Sequence, residues 1–222
     1  IIGFFAIIPL FFIYLKYKDK LLRDLKYFSI FIAVCIQGFI GWLMVKSGLI
    51  NNVDVSHYRL ALHLVVALFI LSLTFWFILE NLKVQKFTIK INNKFTNFFL
   101  ILILLQIILG AFLSGLNGGL LYNSWPDMNG SFIGDDIYKN DLYNIQSFNN
   151  PSVIQFYHRV TAYVLIFFLV ILNYIFYSQK NKSLSIIILN IAILFQIILG
   201  IFTLITGVKI YYASLHQLGS VF

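Results

Sequence analysis

The stretch VIQFYHRVTAYVLIFFLVILNYIFY, residues 153–177, decides the fold of this chain. It is apolar over more than the roughly 20 residues that an α-helix needs to cross about 30 Å of hydrocarbon. One imidazole, His158, lies in its second turn. An imidazole within a bilayer is costly unless something binds it. The stretch therefore predicts a membrane helix with a functional histidine near one end.

Similar apolar windows occur along the rest of the sequence, at 28–47, 60–82, 97–116 and 184–206. The chain is 60% hydrophobic and only 11% charged, and its mean hydropathy is +0.90. These values exclude a water-soluble globular protein and predict an all-α polytopic membrane protein in the lipid bilayer. Shorter apolar pieces at 1–15 and 211–222 look like partial helices, so we expect a chain truncated at both ends.

Eleven of the sixteen lysines and arginines fall in every second predicted loop. The positive-inside rule assigns these loops to the cytoplasm, and segments 48–58, 117–152 and 207–212 to the outside. The net charge of +8 then reflects topology. It predicts no nucleic-acid partner, because a solvated basic face with interleaved aromatic residues is absent. The eleven cations are Lys16, Lys18, Lys20, Arg23, Lys26, Lys83, Lys86, Lys90, Lys94, Lys180 and Lys182.

Three histidines, His63, His158 and His216, each lie near the outer end of a separate predicted helix. Zinc would need three or four converging ligands, and no Cys, Asp or Glu is embedded near them. Haem needs only one or two axial imidazoles between apolar walls, which the 24 Phe and 13 Tyr can supply. The pattern therefore favours haem iron as the bound metal, with helix packing and proton relay as alternatives.

The remaining candidate residues surround these histidines. The single cysteine, Cys35, is expected to be a small buried hydrophobe, so any haem is held non-covalently. Arg59 and Arg159 are placed to bind haem propionates on the outer side, or else to snorkel to the interface. His57 is expected in the external loop before the helix of His63. There it would hydrogen-bond a propionate, relay protons, or simply be exposed.

A Gln-x-x-x-Gly pattern recurs on alternate predicted helices, at residues 37–41, 106–110 and 196–200. After the first and third copies, the next helix supplies a Leu-His pair, with His63 and His216. The repeat predicts two related helical bundles, in which these two histidines occupy equivalent places. Small residues also allow close helix approach, so simple packing is the alternative interpretation of the pattern.

Several long motifs, in the right order, make the chain resemble the haem A synthase (Cox15/CtaA) family, in its alphaproteobacterial and mitochondrial-type branch. The resemblance runs over nearly the whole chain. The motifs are GWLMVKSGL at 41–49, VSHYRLALHL at 55–64, GLNGG at 115–119, YNSWPDM at 122–128, NPSVIQFYHR at 150–159 and LHQ at 215–217.

The resemblance implies eight helices in two pseudo-symmetric four-helix bundles, of which about five helices are complete and two partial here. Residues 1–83 would form the substrate-haem bundle, 84–96 a cytoplasmic linker and 97–222 the haem b bundle. It implies an oxidoreductase that converts the C8 methyl group of haem O to the formyl group of haem A, by successive hydroxylation, for cytochrome oxidase.

The family's site residues carry over onto matching positions. His158 and His216 would hold haem b, with Arg159 beside them. His63 would bind the substrate haem, near Arg59 and His57. The resemblance places the partner of His63, and a glutamate important for the oxidation, before residue 1, so the catalytic residue is not identified here.

The resemblance also implies a bacterial inner membrane location, with the haem sites toward the periplasm. Haem O synthase and a ferredoxin-like electron donor are expected partners, and a homo-oligomer is left open. Two other classes of function stay open at this point. One is a bis-histidine membrane b-type cytochrome that only transfers electrons, and the other is an assembly or packing protein without a cofactor.

Overall fold

The computed structural model describes residues 2–16, 25–48, 55–82, 91–180 and 183–221. These residues form α-helices joined by turns, with short 3₁₀ helices between Gly115 and Pro151 and one isolated bridge, Met128 to Ser131. The all-α prediction is confirmed. The helices are α1 (Ile2–Lys16), α2 (Leu25–Gly48), α3 (His57–Asn81), α4 (Asn93–Gly115), α5 (Pro151–Ser178), α6 (Leu184–Ile205) and α7 (Ile210–Gly219).

Five helices are long and apolar enough to cross a membrane, namely α2 through its segment Phe28–Lys46, and the whole of α3, α4, α5 and α6. They coincide with the five apolar windows of the sequence to within a few residues, which confirms the multi-pass prediction. Helices α1 and α7 are shorter. Most of the loop cations lie outside the described residues, so the cytoplasmic assignment of those loops stays a prediction.

Three helices of unit 2, α4, α5 and α6, start at a residue whose side chain caps the first turn. The side chain of Asn150 accepts hydrogen bonds from the backbone N–H groups of Ser152 and Val153, and Pro151 occupies the first turn. Asn92 caps α4 and Ser183 caps α6 in the same way. Such caps satisfy N–H groups that have no partner within the helix. The cap on α5 also fixes the point at which the outer segment, residues 116–150, enters the membrane helix.

The chain divides into two compact units, Ile1–Lys86 (unit 1) and Phe87–Phe222 (unit 2). In unit 1, α2 packs against both α1 and α3. Cys35 is exposed on α2, which corrects the expectation of a buried thiol. On a membrane helix an outward position meets lipid, so burial by protein is not needed to keep an apolar side chain from water. The assignment of one haem to each unit stays a prediction.

In unit 2, α4 packs along α5, α5 along α6, and α6 along α7. A core cluster of Phe99, Leu169, Leu172 and Ile186 joins the first three of these helices. Nearby, Asn173 and Asn190 exchange side-chain hydrogen bonds of 2.8 and 2.7 Å between α5 and α6. These contacts fix the packing of the helix that carries His158.

Candidate functional site

Each Gln-x-x-x-Gly copy faces a histidine on the next helix along the chain. The three helix pairs are α2 with α3, α4 with α5, and α6 with α7, and each pair contains one such contact. The sequence had linked only the first and third copies to a histidine. The second copy contacts His158. The long outer segment lies between these residues in the sequence, so the sequence alone did not indicate the contact. The contacts join Gln37 and Gly41 to His63, Gln106 and Gly110 to His158, and Gln196 and Gly200 to His216.

The glycines leave room for the imidazole rings. A β-carbon on Gly41 would lie 3.1 Å from Cε1 of His63, and one on Gly110 would lie 3.3 Å from Cε1 of His158. On Gly200 it would lie 2.9 Å from Cε1 of His216. Optimal carbon contacts are about 3.5–4.0 Å. The small residue of each repeat therefore accommodates a histidine ring, so close helix packing alone is an incomplete account of the pattern.

The glutamines bind the histidines. The Gln37 side-chain N–H₂ donates to the backbone carbonyl of His63 at 2.9 Å and lies 3.2 Å from its Nε2. The Gln196 amide donates to the backbone carbonyl of His216 at 2.6 Å. The Gln106 amide lies 3.3 Å from His158 Nε2. Each amide thus holds its histidine from the neighbouring helix.

The ring of His216 is oriented as a metal ligand requires. Its Nδ1 lies 3.1 Å from the backbone carbonyl of Gln196. Because a carbonyl only accepts hydrogen bonds, Nδ1 must carry the proton there, and the lone pair of the neutral ring is on Nε2. Metal-binding histidines commonly donate their other N–H to a carbonyl in this way. His216 is therefore chemically ready to bind iron through Nε2.

His158 lies on α5 of unit 2, which also contains His216 on α7. Nδ1 of His158 is buried and forms no hydrogen bond with the described residues, and the same holds for Nδ1 of His63. No group of three or more His, Cys, Asp or Glu suited to a metal ion occurs among the described residues. His158 and His216 would hold a haem iron through their imidazoles in this apolar part of unit 2, and that assignment stays a prediction.

Arg159 fastens the outer segment to α5. Its Nη1 donates to the carbonyls of Ser124 at 2.9 Å and Asp127 at 2.6 Å, and its Nη2 donates to that of Tyr122 at 2.9 Å. The side chain is buried, so it does not snorkel to water. Only Nε, also buried, makes no hydrogen bond with the described residues. Nε is the atom available for a propionate, and that contact stays a prediction.

A second polar cluster, which the sequence analysis missed, closes the outer segment onto α5. Asp136 accepts from the Tyr122 hydroxyl and from the Ser152 hydroxyl, both at 2.5 Å. Gln155, almost fully buried, donates to the Tyr122 carbonyl at 2.9 Å. Gln155 precedes Arg159 by one helical turn, and this i, i+4 spacing was a signal that the two side chains share a face.

The cluster changes two ionisation equilibria. Burial raises the pKa of Tyr122, and the hydrogen bond to Asp136 raises it further. Partial burial alone would raise the pKa of Asp136, but the hydrogen bonds from Ser152 and Tyr122 outweigh it and lower the pKa below its usual value. At neutral pH the cluster therefore consists of a protonated phenol and an ionised carboxylate.

In unit 1, the structure places the two remaining predicted residues differently from Arg159. Arg59 is exposed. His57 is the first residue of α3 and is buried, with its ring centroid 4.1 Å from that of Tyr58. The expectation that His57 precedes the helix, or is exposed, is therefore wrong. The first turn of α3 is polar, so the apolar window begins after the helix has already started. The predicted propionate contacts of both residues stay predictions.

Comparisons with known proteins identify the family of the chain. The family model COX15-CtaA, described as "Cytochrome oxidase assembly protein", matches residues 1–222. The protein named "Heme A synthase" from Pelagibacter ubique (strain HTCC1062) is 59% identical over 99% of this chain and 66% of its own length. Those named "Heme A synthase" from Rickettsia bellii (strain OSU 85-389) and Rickettsia felis (strain ATCC VR-1525 / URRWXCal2) are each 38% identical, over 97% and 96% of this chain. The chain spans 66% and 65% of the length of these two. The chain belongs to the COX15-CtaA family.

Proposed function

We propose that this chain forms most of a haem A synthase, a membrane oxidoreductase that converts the C8 methyl group of haem O to the formyl group of haem A. The observation that carries the proposal is the threefold contact between a Gln-x-x-x-Gly segment and a membrane histidine. Relatives that match 96–99% of the chain are named "Heme A synthase". Successive hydroxylation of the methyl group, with haem A passing to cytochrome oxidase, is part of the same proposal.

The resident cofactor in this proposal is haem b, ligated by His158 and His216 in unit 2. Support comes from the Nε2 lone pair of His216 and from the position of both histidines within one compact unit. When bound, a bis-histidine haem supplies one-electron transfer. The residues of unit 2 hold the ring nitrogens in position, and Arg159 Nε is available to a propionate at the outer edge.

The substrate haem O would bind in unit 1 through His63. The Gln37 amide fixes the backbone of His63, and its ring lies against Gly41. Arg59, exposed four residues before His63, is placed to pair with an acidic propionate near the outer membrane surface. His57, buried two residues before Arg59, would hydrogen-bond the same group or relay a proton.

The outer segment of unit 2 would exclude water from the resident site. Arg159 binds three of its backbone carbonyls, and Met128 within the segment is completely buried. A dry site strengthens the electrostatic interactions of a bound redox group. In this proposal the segment lies on the periplasmic side of a bacterial inner membrane, which the distribution of loop charges supports. Haem O synthase and a ferredoxin-like electron donor are the partners that we propose for it.

The test is haem extraction and mass analysis of the native protein, purified from cells that make haem O. We expect haem b together with haem O or haem A. His63→Ala should remove only haem O and haem A, whereas His158→Ala should remove haem b. Haem b alone in the wild type and in His63→Ala would instead identify an electron-transfer cytochrome, and no haem in any sample would contradict both functions.

A further inference from the structure

We propose that each Gln–Gly pair, namely Gln37–Gly41, Gln106–Gly110 and Gln196–Gly200, positions an axial imidazole by fixing the orientation of its ring. The inference rests on the proposed function, because it assumes that the three histidines bind haem iron. It assigns a role to six residues that the ligand set leaves out. These are positioning residues, because they act on iron through His63, His158 and His216.

Helix geometry explains the spacing of the pair. Residues i and i+4 lie one above the other on the same face of a helix. The backbone carbonyl of residue i points along the helix toward residue i+4. A ring that approaches this carbonyl must therefore pass over residue i+4, where only glycine leaves space. His216 does so, since its Nδ1 is 3.1 Å from the Gln196 carbonyl and its Cε1 would be 2.9 Å from a Gly200 β-carbon.

The other two rings lie on their glycines in the same way. Cε1 is the ring atom nearest the glycine in all three contacts. The other ring contacts differ: Nε2 of His63 and of His158 lies toward the glutamine amide, whereas Nδ1 of His216 lies toward the Gln196 carbonyl. The feature that the three helix pairs share is the close approach of Cε1 to the glycine. The glycine thus sets how closely the imidazole approaches the helix.

The glutamine side chain supplies the second constraint. In the first and third pairs its amide donates to the backbone carbonyl of the histidine itself, at 2.9 and 2.6 Å. In the second pair it lies 3.3 Å from the His158 ring. The glycine therefore restricts the position of the imidazole ring. The glutamine restricts the position of the backbone or the ring of the same histidine. Residues that orient a metal-bound histidine commonly change metal affinity by about 10–100-fold when mutated.

Unit 1 offers a matched pair of glycines on one helix. A β-carbon on Gly41 would meet His63 at 3.1 Å, whereas a β-carbon on Gly38 would meet nothing within 4 Å. Both Gly41→Ala and Gly38→Ala raise helix propensity, so a general folding effect would be shared by the two variants. We expect Gly41→Ala to lower the haem O and haem A content of the native protein about 10-fold. Gly38→Ala should keep the wild-type content.

Unit 2 supplies an independent measurement on haem b. Gly200→Ala and Gly110→Ala should shift the lowest-field g value of the ferric low-spin haem signal, because that value depends on the orientation of the axial rings. The shift should be larger for Gly200→Ala, whose β-carbon would lie 2.9 Å from His216, than for Gly110→Ala, at 3.3 Å from His158. Gln196→Leu should shift the same signal if the protein fails to accumulate with alanine at residue 200.

The outcomes separate this inference from the proposed function. Wild-type haem content in Gly41→Ala, together with unchanged g values in Gly200→Ala and Gln196→Leu, would overturn the positioning role and leave the synthase proposal intact. Haem b without haem O or haem A in the wild type would overturn the synthase. In that case shifted g values would still support the positioning role in unit 2. A wild type without any haem would overturn both.

Discussion

Units 1 and 2 contain the same Gln-x-x-x-Gly contact with a histidine, in different surroundings. Unit 2 contains two of the histidines, His158 and His216, and an outer segment is hydrogen-bonded to α5 at Arg159, the residue after His158. In unit 1, His63 has the same local contacts, but the arginine near it is exposed. The repeated contact thus specifies a histidine position, and the surroundings decide how firmly that position is enclosed.

Burial shows the same contrast. Of the most apolar 18 residues in each helix, the described chain buries none in α2 or α3, but 28% in α4, 17% in α5 and 11% in α6. A cofactor that stays bound benefits from an enclosed, rigid site, whereas a substrate must enter and leave. Under the proposed function, unit 2 suits resident haem b and unit 1 suits exchange of haem O and haem A. Each prediction below tests one part of this contrast.

The two arginines should give the largest difference. Arg159→Leu removes a buried guanidinium that binds three carbonyls, and hydrogen bonds to charged groups contribute about 1.5–3 kcal/mol each. Allowing for relaxation of the outer segment, we expect the free energy of unfolding to fall by about 3 kcal/mol. Arg59→Leu, at an exposed position, should change it by less than about 0.5 kcal/mol. Unfolding in mixed micelles, followed by tryptophan fluorescence, measures both values.

Arg159→Lys is the control for charge. A single ammonium cannot reproduce the planar fork that reaches the carbonyls of Tyr122, Ser124 and Asp127, so it should recover only part of the loss. Limited proteolysis of the outer segment gives a local measurement, since Arg159→Leu should expose this segment to cleavage. Equal losses of stability for Arg59→Leu and Arg159→Leu would remove the contrast between the two units.

The parts of the fold that could be predicted from the sequence are those in which one energetic contribution is much larger than the others. The cost of exposing backbone polar groups to hydrocarbon makes apolar stretches of membrane length helical, so the windows at 60–82 and 153–177 match α3 and α5 closely. Hydropathy does not fix the helix starts. His57 begins α3 because a polar first turn can be helical at the membrane surface, which an apolar window cannot detect.

The candidate ligands of the site could be predicted from the sequence, but the hydrogen bonds around them could be predicted only in part. Membrane histidines stand out because their burial is costly, which singled out His63, His158 and His216. The hydrogen bonds of Arg159 to backbone carbonyls carry no sequence signature, because any residue supplies a carbonyl. Asp136 was also missed, since its partners Tyr122 and Ser152 are distant in sequence and meet only after the outer segment folds.

Substitutions in the asparagine pair that joins α5 to α6 should have a smaller effect on the free energy of unfolding. Asn173 and Asn190 exchange two hydrogen bonds, and each also donates to the carbonyl four residues earlier. Asn173→Leu leaves Asn190 without its partner within a membrane span, so unfolding should become easier by about 1 kcal/mol. Replacing both asparagines with leucine should cost less than the sum of the single changes. A fully additive double-mutant cycle, measured in mixed micelles, would show that the pair does not couple the two helices.

The smallest effect is expected for the pH dependence of the stability of the outer segment of unit 2. The pKa of Asp136 is lowered on folding, so its ionised form stabilises the folded segment above the ordinary aspartate pKa of about 3.9. This stabilisation is lost as pH falls through the lower folded pKa. Asp136 is exposed, so screening should keep its contribution under about 1 kcal/mol.

The fluorescence of Trp125, within the same segment, can follow this loss between about pH 2 and pH 6. Asp136→Asn should remove the acid-dependent change, whereas Asp135→Asn should retain it, because the carboxylate at 135 does not receive the hydrogen bonds from Tyr122 and Ser152. The pKa of Tyr122 is raised, so its contribution has the opposite sign and is lost as pH rises through that higher value. Tyr122→Phe should therefore remove an alkaline change. If Asp136→Asn kept the wild-type acid profile, the carboxylate would not hold the segment on α5, and the enclosure of unit 2 would depend on the other hydrogen bonds of the segment, such as those of Arg159 and Gln155.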